Sequence, residues 1–268
     1  MLRLGALYRF PLKSGKGECL SRVSLDTLGV VGDRRWMLVD EATGRFLTQR
    51  AEPTMSQLSA HWNGAGGLTL GAEGFGTLHV PVPSGATDLR GVTIWRDTLR
   101  VPDAGDEAAQ WLSRFINKPV RLVHVPVERA RMIESGYGHD DDKVAFADGY
   151  PLLLIGQASL DDLSHKVGRP LEMLRFRPNL VIEGSEAFAE DGWKRIRIGD
   201  VEFRVVKPCS RCILTTIDPN TGKRDEQREP LATLMTYRKQ ESGTMFGQNL
   251  VNDSEGVLEI GMPVTVLE

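Results

Sequence analysis

Short apolar alternations broken by glycine turns recur along this chain, and they constrain its fold more than any other feature. Leu2, Leu4, Ala6, Tyr8 and Phe10 occupy every second position, and Ile196, Ile198, Val201, Phe203 and Val205 do the same across Gly199-Asp200. A period of two buries one face of a strand, and a short Gly-Asp link between two such runs is a hairpin turn. Trp36-Met37-Leu38-Val39 leads into the turn Glu41-Ala42-Thr43-Gly44, after which Phe46-Leu47-Thr48 resumes as the return strand. The run Asn63-Gly64-Ala65-Gly66-Gly67, with Gly71, Gly74 and Gly76, punctuates further short strands through Val80 and Val82. Val257 to Val266 closes the chain in the same hairpin style. These glycines are turn chemistry and not a phosphate loop, because no Gly-Lys-Ser/Thr follows a strand and no helix pattern begins there.

Three segments break the pattern as helices. Asp106 to Ile116 carries acids in its first turn and Ala108, Trp111, Leu112 and Phe115 on one face, as expected of a helix covering a barrel end. Ser159 is expected to cap a second helix over Leu160–Val167, ended by Gly168, and Glu229-Pro230 opens a third through Tyr237. The fold expected is mainly β (α+β), two β-barrel domains with a few peripheral helices. At 268 residues the chain is long enough for two, here 1–120 and 121–268, dividing within Asn117 to Val125.

Bulk charge is silent about the ligand. A net charge of −3 makes no overall case for nucleic acid, so anion binding has to come from local clusters. No apolar run approaches the ~18 residues of a membrane span, and no membrane association is expected. Three cysteines are an odd count with no disulfide framework, and the N-terminus carries no apolar leader, so a reducing cytoplasm is expected.

The chemistry concentrates in Lys207-Pro208-Cys209-Ser210-Arg211-Cys212, followed by Ile213-Leu214-Thr215-Thr216-Ile217, which reads as a strand leading out. A thiolate beside a guanidinium is stabilised as the anion, and so serves as a nucleophile or a soft metal ligand. Zinc would need two further ligands from Cys19 and five scattered histidines, none paired at ligand spacing. A thiol-redox pair of the thioredoxin kind would stand at a helix N-terminus instead of between two strands. Asp218 falls in an Asp-Pro-Asn-Thr-Gly turn, Asp140-Asp141-Asp142 reads as a solvated loop, and Trp95, Trp111 and Trp193 read as core or barrel-end residues.

The run Cys209 to Gly222 resembles the signature of the MOSC domain, the molybdenum-cofactor-binding module. More narrowly, it resembles the group that contains bacterial YcbX and the mitochondrial amidoxime reducing component. Lys13-Ser14, Gly32-Asp33-Arg34-Arg35-Trp36, Thr48-Gln49-Arg50-Ala51-Glu52-Pro53, Phe146-Ala147-Asp148, Phe176-Arg177-Pro178-Asn179 and Phe246-Gly247-Gln248 stand in that group's order and spacing, so the likeness covers essentially the whole chain. It implies an N-terminal MOSC-type barrel followed by the MOSC domain proper.

The resemblance implies that Cys212 ligates molybdenum and that Cys209 lies behind it. Lys13, Ser14, Arg34 and Arg211 are implied at the cofactor's phosphate, Asp148, Arg177, Asn179 and Ser210 at the pterin and cavity wall, and Arg50 as a further cofactor contact. The implied reaction is reduction of hydroxylamines, amidoximes and N-hydroxylated bases to amines or amidines plus water. YcbX-like proteins commonly continue into an iron–sulfur domain, whereas no cysteine follows Cys212 here. Electrons are therefore expected from a separate reductase or small redox protein. Two other readings stand beside this one. The first is a cofactor-binding or sulfur-carrying module without turnover, and the second is a thiol-redox protein.

Overall fold

The computed structural model describes residues 1–84 and 88–268. Its largest sheet has nine strands. Eight run in the order Glu18–Leu20, Arg3–Arg9, Leu180–Glu183, Leu152–Gly156, Gly243–Asn252, Val201–Arg211, Arg195–Ile198 and Val264–Val266, and Lys239–Gln240 adds to Gly243–Asn252. The last strand comes back beside the second, because Leu4 of Arg3–Arg9 donates its N–H to Met262 O at 2.9 Å and Val264 donates to Leu2 O at 3.1 Å. The sheet is thus a closed barrel with no free edge at that seam. Its interior is filled by Leu4, Leu7, Leu154, Leu180, Ile196, Ile198, Phe203 and Leu250; the expected alternation holds through Ile196 to Phe203, but a bulge between Leu4 and Ala6 turns Leu7 inward and sends Ala6 and Tyr8 to a separate apolar cluster.

Among the strand pairs of the described residues, only Leu152–Gly156 and Leu180–Glu183 run parallel, and a crossover containing helix α2 (Gln157–Val167) joins them. Parallel neighbours need such a crossover, and the runs Leu152–Ile155 and Leu180–Ile182 are accordingly continuous apolar stretches instead of alternating. Helix α2 starts before the expected Leu160. Ser159 does not cap it, since its hydroxyl donates to the buried Glu190 at 2.7 Å and accepts from Phe188 N–H at 2.7 Å. That partner lies about thirty residues downstream, where a local cap rule cannot reach.

The remaining strands build a second core. Ser59–Trp62, Leu68–Ala72 and Gly76–Val80 form an antiparallel meander, and Leu89–Ile94 pairs with Asp97–Pro102. Trp36–Asp40 pairs with the buried strand Val120–His124, and α1 (Asp106–Ile116) packs beside them through Ala108, Trp111 and Leu112. The turn after Trp36–Asp40 forms as expected, with Leu47 N–H donating to Leu38 O at 2.8 Å, although Phe46 joins only by an isolated bridge. The third helix, α3, spans Leu231–Tyr237.

The two ends of the chain are interleaved. Arg3–Arg9 lies in the large barrel, and Arg22–Asp26 pairs with Gly256–Glu259. The expected closing hairpin over Val257 to Val266 is absent, because Gly256–Glu259 and Val264–Val266 join different sheets across Gly261. Among the described residues, no helix is long and apolar enough to cross a membrane.

Candidate functional site

The strand Val201–Arg211 alternates inward and outward through Phe203, then meets its partner irregularly between Val205 and Lys207 and between Pro208 and Ser210. Pro208 has no N–H to give the ladder, so a bulge is where a proline can stand inside a paired strand. These two irregularities re-aim the end of the strand. Ser210 then faces Gly243, where an added Cβ would lie 2.2 Å from the Ser210 hydroxyl, and φ of 134° also favours glycine.

The segment after Cys212 is not the expected strand but a 3-10 turn, Ile213–Thr216. The β-branched composition favours a strand, yet Thr215 and Thr216 return their hydroxyls to Cys212 O (3.0 Å) and Ile213 O (2.7 Å), a local bond that competes with a ladder. Cys212 is therefore the last residue before the chain turns, and its side chain is only partly buried.

Lys13, Ser14, Arg34, Arg50, Asp148, Arg177, Asn179, Ser210, Arg211 and Cys212, separated by up to 199 positions, all line one cavity of ≈ 170 Å³. Five cations and one carboxylate face it, a concentration of positive charge that the net charge of −3 conceals. Ser14 (φ 65°), Arg34 (φ 46°) and Arg177 (φ 57°) hold left-handed backbone, which costs a non-glycine residue about 1–2 kcal/mol each. Backbone strain of this kind persists where surrounding structure enforces it, and it clusters at functional sites.

The cations are held individually. Lys13 donates to Phe146 O at 2.7 Å and Asp148 at 2.5 Å. Arg34 donates to Asp33 at 2.6 Å, Asn179 Oδ1 at 3.1 Å and Arg177 O at 2.9 Å. Arg34 and Arg177 both lie over the Phe10 ring, at 4.5 and 4.2 Å. Asn179 Oδ1 also accepts from Leu153 N–H and its Nδ2 donates to Tyr8 O, so this side chain holds Arg34 instead of offering its oxygen to a ligand. Ser14 is fixed through its carbonyl, which accepts from Gln49 at 2.8 Å.

The two sulfurs are not equivalent. Arg50 donates both Nε and Nη2 to Cys212 Sγ, each at 3.3 Å, and its Nη2 lies 3.5 Å from Asp148. Arg211 donates Nη1 to Cys209 Sγ at 2.9 Å and Nη2 to Phe176 O at 2.5 Å. Among the described residues, the only group of three or more potential metal ligands is His139, Asp141 and Asp142, away from either cysteine, and Asp142 already engages Arg204 through both oxygens. Asp218 accepts turn N–H groups from Asn220 and Thr221 and pairs with Arg175, as a turn residue does.

Two buried guanidinium nitrogens on the cavity wall, Arg177 Nη2 and Arg211 Nε, have no protein partner. Unpartnered buried guanidinium nitrogens also occur at Arg35, Arg129 and Arg175, but at this cavity the pair stands beside three further cations, which together suit an anionic acceptor. A soft sulfur at one end and unpartnered guanidinium donors along the wall fit a cofactor that carries both a thiophilic metal and a phosphate.

Burial lowers Lys13 to about 8 although Asp148 opposes it, and burial followed by the Arg34 charge lowers Arg177 to about 9. Desolvation would raise the Asp148 carboxyl, but the Lys13 ammonium and then Arg50 overcome it and hold that group well below the usual carboxylate range. As pH rises through about 8, Lys13 loses its proton, so the cavity loses positive charge. Affinity for sulfate, whose own charge is constant in this range, is expected to fall by roughly tenfold from pH 7 to 9. Lys13→Arg, whose guanidinium keeps its charge throughout this range, should leave the profile nearly flat. Calorimetric titration at stepped pH checks this, and a flat profile for the unmodified protein would contradict it.

Sequence reading missed Trp95. It stands at the tip of the hairpin between Leu89–Ile94 and Asp97–Pro102, 42% exposed instead of in a core, with Arg50 Cζ 5.0 Å from its ring centroid. Thr48, Tyr150 and Asn249 also line the cavity, and of these only Thr48 lies in a segment with a readable signal, Thr48-Gln49-Arg50.

Five cations and two arginine-held sulfurs thus line one cavity. The chain belongs to the MOSC family, matching the MOSC N-terminal beta barrel domain over residues 1–119 and the MOSC domain over residues 141–265. It is similar to mitochondrial amidoxime-reducing component 1 of Danio rerio, 36% identical over 270 residues, covering 95% of this chain and 81% of the relative. The Homo sapiens protein of that name is 34% identical over 278 residues, covering 97% and 82%. Mitochondrial amidoxime reducing component 2 of Rattus norvegicus is 34% identical over 275 residues, covering 95% and 80%.

Proposed function

We propose that this protein is a molybdenum-cofactor-dependent oxidoreductase that reduces N-hydroxylated compounds, among them hydroxylamines, amidoximes and N-hydroxylated bases. The observation that carries the reading is the placement of Cys212 Sγ, gripped by Arg50, at a cavity whose wall holds the unpartnered Arg177 Nη2 and Arg211 Nε. The names of the relatives supply the reaction class.

Cys212 would hold the metal through its sulfur, and Lys13, Arg177 and Arg211 would neutralise the phosphate through charge-assisted hydrogen bonds worth roughly 1.5–3 kcal/mol each. Arg34, tied to Asp33 and Asn179, would keep the wall rigid. Asp148, whose side chain keeps 60% of its surface exposed, and Ser210 would offer polar edges to the pterin. When bound, the cofactor supplies a two-electron centre able to take oxygen from an N–O bond. Two electrons and two protons per turnover release the amine or amidine and water. We assign the electrons to a separate reductase or small redox protein, and the setting to a reducing cytoplasm that keeps Cys19, Cys209 and Cys212 free. Residues 1–120 and 121–268 are proposed as the two domains, both contributing to this cavity.

The test is turnover of benzamidoxime by purified metal-containing protein with reduced viologen as electron donor. Formation of benzamidine supports the reading. Metal-containing protein that gives no benzamidine would leave a cofactor carrier in its place.

A further inference from the structure

The strands Leu89–Ile94 and Asp97–Pro102 pair through Ile94 and Asp97, which leaves Trp95 and Arg96 as a two-residue turn. Such turns need left-handed backbone and are normally filled by Asn, Asp or Gly. Here Trp95 takes φ of 54° with a bulky side chain, and 42% of its surface is open to solvent. Backbone strain and an exposed indole are both unfavourable for folding, so their coincidence at one residue calls for a functional reason.

The surroundings of the ring supply it. Arg50 Cζ lies 5.0 Å and Lys13 Nζ 5.9 Å from the indole, and both residues line the cavity. The Phe46 ring backs the indole at 4.9 Å, tilted by 60°. Arg50 is also the residue whose Nε and Nη2 grip Cys212 Sγ. The indole therefore lies against two residues that line the cavity, and through Arg50 it is one side chain away from the sulfur.

Resting on the function proposed above, we infer that Trp95 is a specificity-determining residue, a shelf on which planar conjugated N-hydroxylated substrates stack while their N–O group reaches the Cys212 end of the cavity. Offset stacking on an indole favours flat π-systems and gives nothing to an aliphatic chain. The reaction stays balanced, since two electrons from reduced viologen and two protons convert each amidoxime to amidine and water as the N–O bond breaks.

The experiment compares benzamidoxime with acetamidoxime in the unmodified protein and in Trp95→Ala, Trp95→Phe and Trp95→Asn. The KM for benzamidoxime should rise about tenfold in the alanine and asparagine variants with kcat kept, and Trp95→Phe should recover most of it. Values for acetamidoxime should not move. Equal changes for both substrates would make the indole a mere prop for Arg50 and overturn the inference, as would no change for either. Trp95→Asn suits the turn, so its Tm should hold or rise, and a large fall would show that the ring is structural. Absence of turnover in the unmodified protein counts against the proposed function alone. Calorimetric binding of benzamidine, tenfold weaker in Trp95→Ala, then decides the shelf, and equal binding overturns it.

Discussion

Cys212→Ser should abolish turnover, a loss of at least about a thousandfold, and Cys209→Ser should cost only a few-fold. Cys212 is the last residue before the 3-10 turn, and its sulfur accepts two hydrogen bonds from one guanidinium, Arg50. A serine oxygen there is a hard donor, so the proposed soft ligand of the metal would be lost. Cys209 receives only Arg211 Nη1, and that guanidinium keeps its bond to Phe176 O when the sulfur is gone. The measurement is benzamidoxime turnover together with metal content for both variants. Equal losses would contradict the unequal roles and favour a thiol-redox pair.

Asp33→Ala should destabilise the protein by about 3–5 kcal/mol, the usual consequence of stranding one member of a buried ion pair. Asp33 is 2% exposed and accepts from Phe10 N–H at 2.7 Å and Arg34 Nη1 at 2.6 Å. Its removal leaves a buried amide and a buried guanidinium short of partners, and Asn179 and Arg177 O cannot neutralise the charge that remains. Asp33→Asn keeps an acceptor without the charge and should lose roughly half as much. Because Arg34 lines the cavity, the alanine variant should also retain less cofactor. Urea unfolding checks the stability, and a change within about 0.5 kcal/mol would show that Arg34 relaxes into solvent.

The barrel was legible because its signal is local. The alternation through Ile196, Ile198, Val201 and Phe203 across the Gly199-Asp200 turn declares itself within a dozen residues, and each of the three helices overlaps its pattern, although a bulge between Leu4 and Ala6 turns Leu7 inward in place of Ala6 and Tyr8 and α2 starts three residues early. Pairings between distant segments leave no such trace. Nothing in Arg22–Asp26 announces Gly256–Glu259 as its partner, and the closing hairpin was misread for that reason.

The ten site residues are too scattered for any periodicity to collect them, so they were found through motif resemblance, and the cavity then brings them together. Ile213 to Ile217 misled because β-branched residues favour strands until a hydroxyl finds a nearby carbonyl. Trp95 was hidden by its chemistry, since hydrophobicity assigns an indole to a core and gives no hint of a left-handed turn against cavity-lining residues.

The central claim is that this cavity holds a molybdenum cofactor through Cys212. Elemental analysis for molybdenum, with pterin fluorescence after oxidation, on protein made in a host that synthesises the cofactor tests it most directly. The account predicts about one molybdenum and one pterin per chain, both lost in Cys212→Ser. Neither metal nor pterin in the unmodified protein from such a host would contradict it.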